Sequence, residues 1–281
     1  MKIFPQIVTF IITSRCNNDC KYCYAAKNVK EMSLSELKNL FYLLYFMGFK
    51  AVVLTGGEPL LRNDFKGIIN ELKKYNFKIF LDISGDLFFK FKKLISENVD
   101  VLGLPIDFPN SSQNYRNKNN FKTILKILNY YKGSKRRPII RIGTVVTKDN
   151  FRDLDKIGKL LKNYPVDIWK IYQFIPKNLN AIKNRSFLEI SPEEFDKATK
   201  KLKSAFSKFF KVVISKSKDR DSAYFFIDSD GTVFMPTANR NFFKDKRIGN
   251  IFDKNILNKW GKFVSRANYI NNAKLTFDYK F

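Results

Sequence analysis

Along most of this chain, short apolar runs rich in β-branched and aromatic residues alternate with longer stretches whose apolar positions recur every three or four residues. The short runs have strand length, and the longer stretches have the period of amphipathic helices. Strands are expected at residues 7–13, 51–55, 77–81, 101–105, 139–146 and 168–174. Helices are expected at 33–46, 63–75, 90–97, 122–131, 151–163 and 192–207. Ser33 with Glu36, and Ser191 with Pro192, carry helix-start chemistry. The alternation predicts an α/β fold of six βα units around a parallel sheet, whose strand C-terminal ends converge on one face.

The pattern changes near residue 210. Residues 223–235 read as a hairpin turning at Ser229-Asp230-Gly231, followed by a short helix at 255–263 and a polar tail from Val264 to Phe281. The expected organisation is a partial (β/α)6 barrel over residues 1–210. A C-terminal α+β cap and tail over 211–281 would cover its mouth.

Composition narrows the function. The apolar fraction of 44%, with 29 Phe, is ample for a large core. No run of eighteen apolar residues occurs, so no membrane association is expected. Phe4-Pro5 interrupts the N-terminus, so no signal peptide is expected and a cytoplasmic location is. The net charge of +26 is spread along the chain, with small clusters at 132–137 and 200–203, and reads mainly as a solvated surface. It leaves open an anionic small-molecule substrate, or nucleic acid bound through the basic surface. There are three cysteines and no histidine. Histidine catalysis, histidine metal ligation and Ser-His-Asp chemistry are therefore excluded.

All three cysteines fall in Cys16-Asn-Asn-Asp-Cys20-Lys-Tyr-Cys23, directly after the first expected strand. So tight a spacing does not make a disulfide scaffold. Zinc would take four Cys or His ligands, which this chain lacks. A [4Fe-4S] cluster held by three thiolates keeps one iron open for the amino and carboxylate groups of a small molecule.

This C-x3-C-x2-C loop, with Tyr22 before its last cysteine, resembles the defining motif of the radical S-adenosylmethionine (SAM) superfamily. Thr55-Gly56-Gly57-Glu58-Pro59, one βα unit later, resembles that family's motif for the methionine end of SAM. The resemblance implies an enzyme with two cofactors, a [4Fe-4S] cluster and SAM. An external one-electron donor such as ferredoxin or flavodoxin would reduce the cluster, and a 5′-deoxyadenosyl radical would abstract a substrate hydrogen. Cys16, Cys20 and Cys23 become the cluster ligands; Tyr22, Gly56, Gly57, Glu58 and Pro59 become cofactor contacts. Ser84, Thr144 and Phe174 at later strand ends are further cofactor candidates.

Three stretches are similar to viperin and its prokaryotic relatives, which dehydrate nucleoside triphosphates: Trp169-Lys-Ile-Tyr-Gln-Phe174, Asp221-Ser-Ala-Tyr224-Phe-Phe-Ile-Asp228 and Val264-Ser-Arg266-Ala-Asn-Tyr269. That similarity implies triphosphate contacts from Lys170, Arg266, Arg141 and Arg116, and a catalytic Tyr224 that supplies an electron and a proton. The chain departs from the pattern at Ala51, Gly143 and Ile11, where those relatives carry Lys, Asn and His. Gly231-Thr-Val-Phe234, Ile248-Gly-Asn-Ile251 and Trp260 are similar instead to peptide-modifying members. A peptide- or tRNA-modifying enzyme is thus the alternative. Outside enzymes, the alternative is a basic nucleic-acid-binding protein with a structural metal loop.

Overall fold

A computed structural model describes residues 4–25, 29–113, 115–117, 119–239 and 242–277. The chain begins β1 (Ile7–Thr13), α1 (Leu34–Phe46), β2 (Ala51–Gly56), α2 (Phe65–Lys73), β3 (Lys78–Asp82), α3 (Phe88–Asn98), β4 (Val101–Pro105) and α4 (Asn120–Tyr130). It continues with β5 (Ile139–Val146), α5 (Leu154–Leu161), β6 (Ile168–Gln173), α6 (Asn178–Lys183), α7 (Arg185–Leu188), α8 (Pro192–Thr199), α9 (Leu202–Phe206) and β7 (Lys211–Ser215). Then come β8 (Phe226–Ile227), β9 (Thr232–Asn239), β10 (Phe242–Asn250), α10 (Ile256–Gly261) and α11 (Arg266–Phe277). Both anticipated helix starts form full capping boxes, Ser33 with Glu36 and Ser191 with Glu194.

Within the described residues the strands form one open sheet in the order β10-β9-β8-β1-β2-β3-β4-β5-β6-β7. The run from β1 to β7 is parallel throughout. The α/β partial barrel is therefore present, and it gains a seventh parallel strand, β7, where the sequence pattern led us to expect none. At the other edge β8 joins β1 in parallel and opens the antiparallel β8-β9-β10 ribbon. Its turn at Ser229-Asp230-Gly231 lies where the sequence placed it.

Strand alternation sorts the sheet's two faces. Outward residues such as Phe10, Val52, Ile79, Leu102, Ile140 and Trp169 pack under the helices in the main core. Each such side chain contributes about 1.5–3 kcal/mol on leaving water. Inward residues near the strand starts, Ala51, Phe80, Val101, Ile168 and Val213, form a second apolar cluster that plugs the barrel floor. Toward the C-terminal ends the inward positions turn polar, and the site lies there.

Within the expected polar tail, residues 278–281 lie outside the described residues and Arg266–Phe277 form a helix, α11. Asparagine amides dock it: Asn268 Nδ2 donates to the Asp221 carbonyl at 2.9 Å and Asn272 Nδ2 to the Asp219 carbonyl at 2.7 Å. Among the described residues no helix is long and apolar enough to cross a membrane.

Candidate active site

A cavity of about 390 Å³ opens above the apolar floor. Cys16, Cys20 and Cys23 all line it, and all three thiols are free. Their loop is held from several sides. Cys23 N donates to Cys20 O at 3.0 Å, while Gly57 N donates to Thr13 O and Glu58 N to Arg15 O, both at 2.8 Å. The loop thus hangs from the end of β2. Gly57 permits this close approach, since a Cβ there would stand 2.0 Å from the Arg15 carbonyl oxygen.

Burial pushes the Cys20 thiol up to about 11, with Arg116 pulling the other way. An electron-poor metal reverses that balance by binding the thiolate. Among the described residues no three His, Cys, Asp or Glu side chains gather as they would around one metal ion. Three free, soft thiols along one loop, facing one cavity, fit a cubane, which takes each thiolate on a different iron.

The Gly-Gly-Glu-Pro segment lies partly at the cavity. Gly56 and Gly57 line the cavity. Glu58 does not: it is fully buried, accepting from Ser84 N at 2.7 Å and Leu60 N at 3.2 Å. Burial raises its pKa against those hydrogen bonds. Pro59 is likewise buried, at the start of a short 3-10 turn over Pro59–Leu61. Glu58 thus braces the backbone that presents Ser84 to the cavity, and touches no cavity space itself.

Thr144 lies away from the cavity. Alternation along β5 turns it outward, fully buried, where it donates to Ile106 O at 2.5 Å and accepts from Trp169 Nε1 at 2.9 Å. Its neighbours Gly143 and Val145 face the cavity instead. Phe174 lines the cavity and packs in one cluster with Tyr22 and Tyr115, with Cys20 against it. Tyr22 donates to Asp107 Oδ2 at 2.6 Å and meets the Tyr115 ring edge-on at 5.1 Å.

Among the described residues, five that line the cavity are cationic, Arg116, Arg141, Lys170, Lys177 and Arg220, and one, Asp82, is acidic. Arg116 is ion-paired with Asp107 and lies over the Tyr22 ring. Arg141 spans from β5 across β4 to pair with Asp82 on β3. Gly103 lets it pass, because a Cβ there would meet the Asp82 carboxylate at 1.9 Å. The Lys170 ammonium lies 5.0 Å from the Tyr172 ring, and Arg220 approaches the same ring at 5.8 Å. Tyr224 lines the cavity as well and donates to Asn272 Oδ1 at 3.0 Å.

Arg266 also lies apart from the cavity. It opens α11, is exposed, and does not line the cavity; Tyr269 and Asn272 of that helix do. Arg220, on the 3-10 turn Lys218–Arg220, supplies the cation on that side and donates to Gln173 O. Sequence reasoning missed Arg220, Asp82 and Asp107. Asp82 is two residues after inward-facing Phe80, so alternation alone marks its face.

Over 206 residues the chain is 27% identical to an S-adenosylmethionine-dependent nucleotide dehydratase of Selenomonas ruminantium, covering 67% of this chain and 73% of that protein. It is 27% identical over 213 residues to a probable GTP 3′,8-cyclase of Methanococcus maripaludis, covering 63% and 68% respectively. The fold matches Streptococcus suis SuiB bound to S-adenosylmethionine, with a TM-score of 0.67 at 13% identity, over 96% of this chain and 68% of that one. The family model described as Radical SAM superfamily matches residues 10–161, more than half of the chain. With three thiols and the Gly56-Gly57 edge around one cavity, the chain belongs to the Radical SAM superfamily, as an enzyme that uses a [4Fe-4S] cluster and S-adenosylmethionine.

Proposed function

We propose that this enzyme dehydrates a nucleoside triphosphate held over the cysteine loop. The observation that carries the reading is the excess of cations over carboxylates lining the same cavity as the three cysteines. Guanidinium and ammonium groups converging in a partly desolvated cleft suit a polyphosphate, because each phosphate oxygen accepts a charge-assisted hydrogen bond. Two relatives named for nucleotide chemistry support it.

When bound, the cluster and SAM supply the carbon-centred radical that removes a hydrogen atom from the substrate sugar. This chain's residues do the rest. Lys170 and Arg220 grip the phosphates, while the Arg141–Asp82 and Arg116–Asp107 pairs present their remaining N–H groups in fixed directions. As hydroxide leaves the sugar, Tyr224 gives one electron to the substrate radical and its phenolic proton to the hydroxide, forming water. A donor of the ferredoxin or flavodoxin class then returns one electron to the tyrosyl radical, and a proton from solvent restores the phenol.

The test compares binding of a nucleoside triphosphate and its nucleoside to cluster-loaded Lys170→Ala and Arg220→Ala. Losing one charged hydrogen bond should weaken nucleotide binding by about tenfold to a hundredfold. Nucleoside binding should barely change. Equal losses for both ligands would favour a peptide or tRNA substrate.

A further inference from the structure

Lys177 follows β6, is only 4% exposed, and still lines the cavity. Its ammonium pairs with Asp245 of β10 at 2.9 Å. Three aromatic rings surround it, with centroids at 5.1 Å for Tyr24, 5.8 Å for Phe226 and 5.2 Å for Phe234. Tyr24 immediately follows Cys23, and Cys23, Tyr24 and Lys177 line the same cavity. The turn that follows tethers the cysteine loop. Asn178 Nδ2 donates to Tyr24 O, Asn180 Nδ2 to Asp19 Oδ1 at 3.0 Å, and Asn184 Nδ2 to Lys21 O at 3.3 Å. One segment therefore both anchors the loop and fixes a buried cation beside it. Burying a lysine is costly, and Asp245 with the aromatic faces offsets that cost. The phosphate grip proposed above leaves this lysine without a task.

We infer that Lys177 sets the reduction potential of the bound cluster, raising it, and that Asp245 limits how much of that charge the cluster feels. Reduction transfers one electron from an external donor, adds one negative charge to the cluster, and neither makes nor breaks a bond. A fixed ammonium nearby favours the more negative state, and does so strongly where water is excluded. Asp245 acts with the opposite sign. The two side chains form one ion pair, but their removal shifts the potential in opposite directions. A purely structural role has no reason to do that. The inference depends on the cysteine loop holding the cluster and is independent of the substrate.

The experiment is a redox titration of cluster-loaded protein, followed by electron paramagnetic resonance of the reduced cluster. It is run at one fixed pH for all variants. Lys177→Met should make reduction about tenfold less favourable, a fall of about 59 mV for a one-electron couple. Lys177→Arg, which keeps the charge, should restore most of the wild-type value. Asp245→Asn should raise the potential. If Lys177→Met leaves the potential unchanged, or shifts it in the same direction as Asp245→Asn, the inference fails. Should Lys177→Met not take up iron, Asp245→Asn decides alone: a rise upholds the inference, and no change or a fall overturns it.

Discussion

Gly57→Ala is the smallest change that strikes the join between the two cofactor motifs. Its Cβ would lie 2.0 Å from the Arg15 carbonyl oxygen and 2.6 Å from the Arg15 carbonyl carbon. These are backbone atoms, so no flexible side chain can yield. To reach an ordinary contact the Arg15 peptide must retreat by about 1.4 Å, which overstretches the 2.8 Å bond from Glu58 N to Arg15 O. A buried amide left unpaired costs about 1–3 kcal/mol, and the overpacking costs a similar amount. A loss of about 2–6 kcal/mol lowers the melting temperature of a chain this size by roughly 5–15 °C. Arg15 adjoins Cys16, so the displacement falls on the cluster ligands as well. An obstacle confined to the SAM approach would spare the cluster. The structure predicts instead that Gly57→Ala loses both iron uptake and SAM binding. The assay is iron content after anaerobic reconstitution, read beside a melting curve. Full iron loading with wild-type stability would refute the reasoning.

Four other outcomes follow from the same geometry. Thr144→Val should destabilise the fold by about 1–3 kcal/mol, since it strands the Trp169 indole N–H, and should leave SAM affinity intact; weakened SAM binding in a stable variant would return Thr144 to the site. Arg266→Ala should bind a nucleoside triphosphate as the wild type does while Arg220→Ala does not, a contrast that isothermal titration reads directly. Tyr224→Phe should fold, bind SAM and release 5′-deoxyadenosine yet form little reduced product; wild-type product formation would make Tyr224 a packing residue. The hydrogen bond from Arg62 holds the Asp64 carboxyl below its ordinary value, so its stabilisation is present above the unfolded value of 3.8 and is lost as pH falls through the folded one. Asp64→Asn should therefore cost stability at neutral pH and almost none in strong acid, as paired denaturant titrations would show.

The parallel strands were legible because each is a short apolar run between turn residues, and β1 to β6 lie within a residue or two of their expected bounds. β7 escaped notice because Lys211-Val-Val-Ile-Ser215 is brief and begins where the C-terminal cap was expected to start. α11 escaped for the opposite reason. It carries almost no apolar stripe, and its amide contacts to the backbone at Asp219 and Asp221 come from partners about fifty residues away. The cysteines were readable because ligand spacing is local. Glu58 and Thr144 were read as cofactor contacts because motif and strand position mark a neighbourhood, whereas the face a side chain takes depends on its hydrogen-bond partners. The pairs Arg141–Asp82 and Arg116–Asp107 join different strands and loops, and no local pattern announces them.

The most direct test of the account incubates cluster-loaded protein with SAM and dithionite, alone and with each common nucleoside triphosphate, and measures 5′-deoxyadenosine. One triphosphate should raise its formation well above the level without substrate and yield a product lighter by one water. Cys23→Ala should abolish both. If no triphosphate raises 5′-deoxyadenosine above that level, the cavity serves another substrate and the proposed function is wrong.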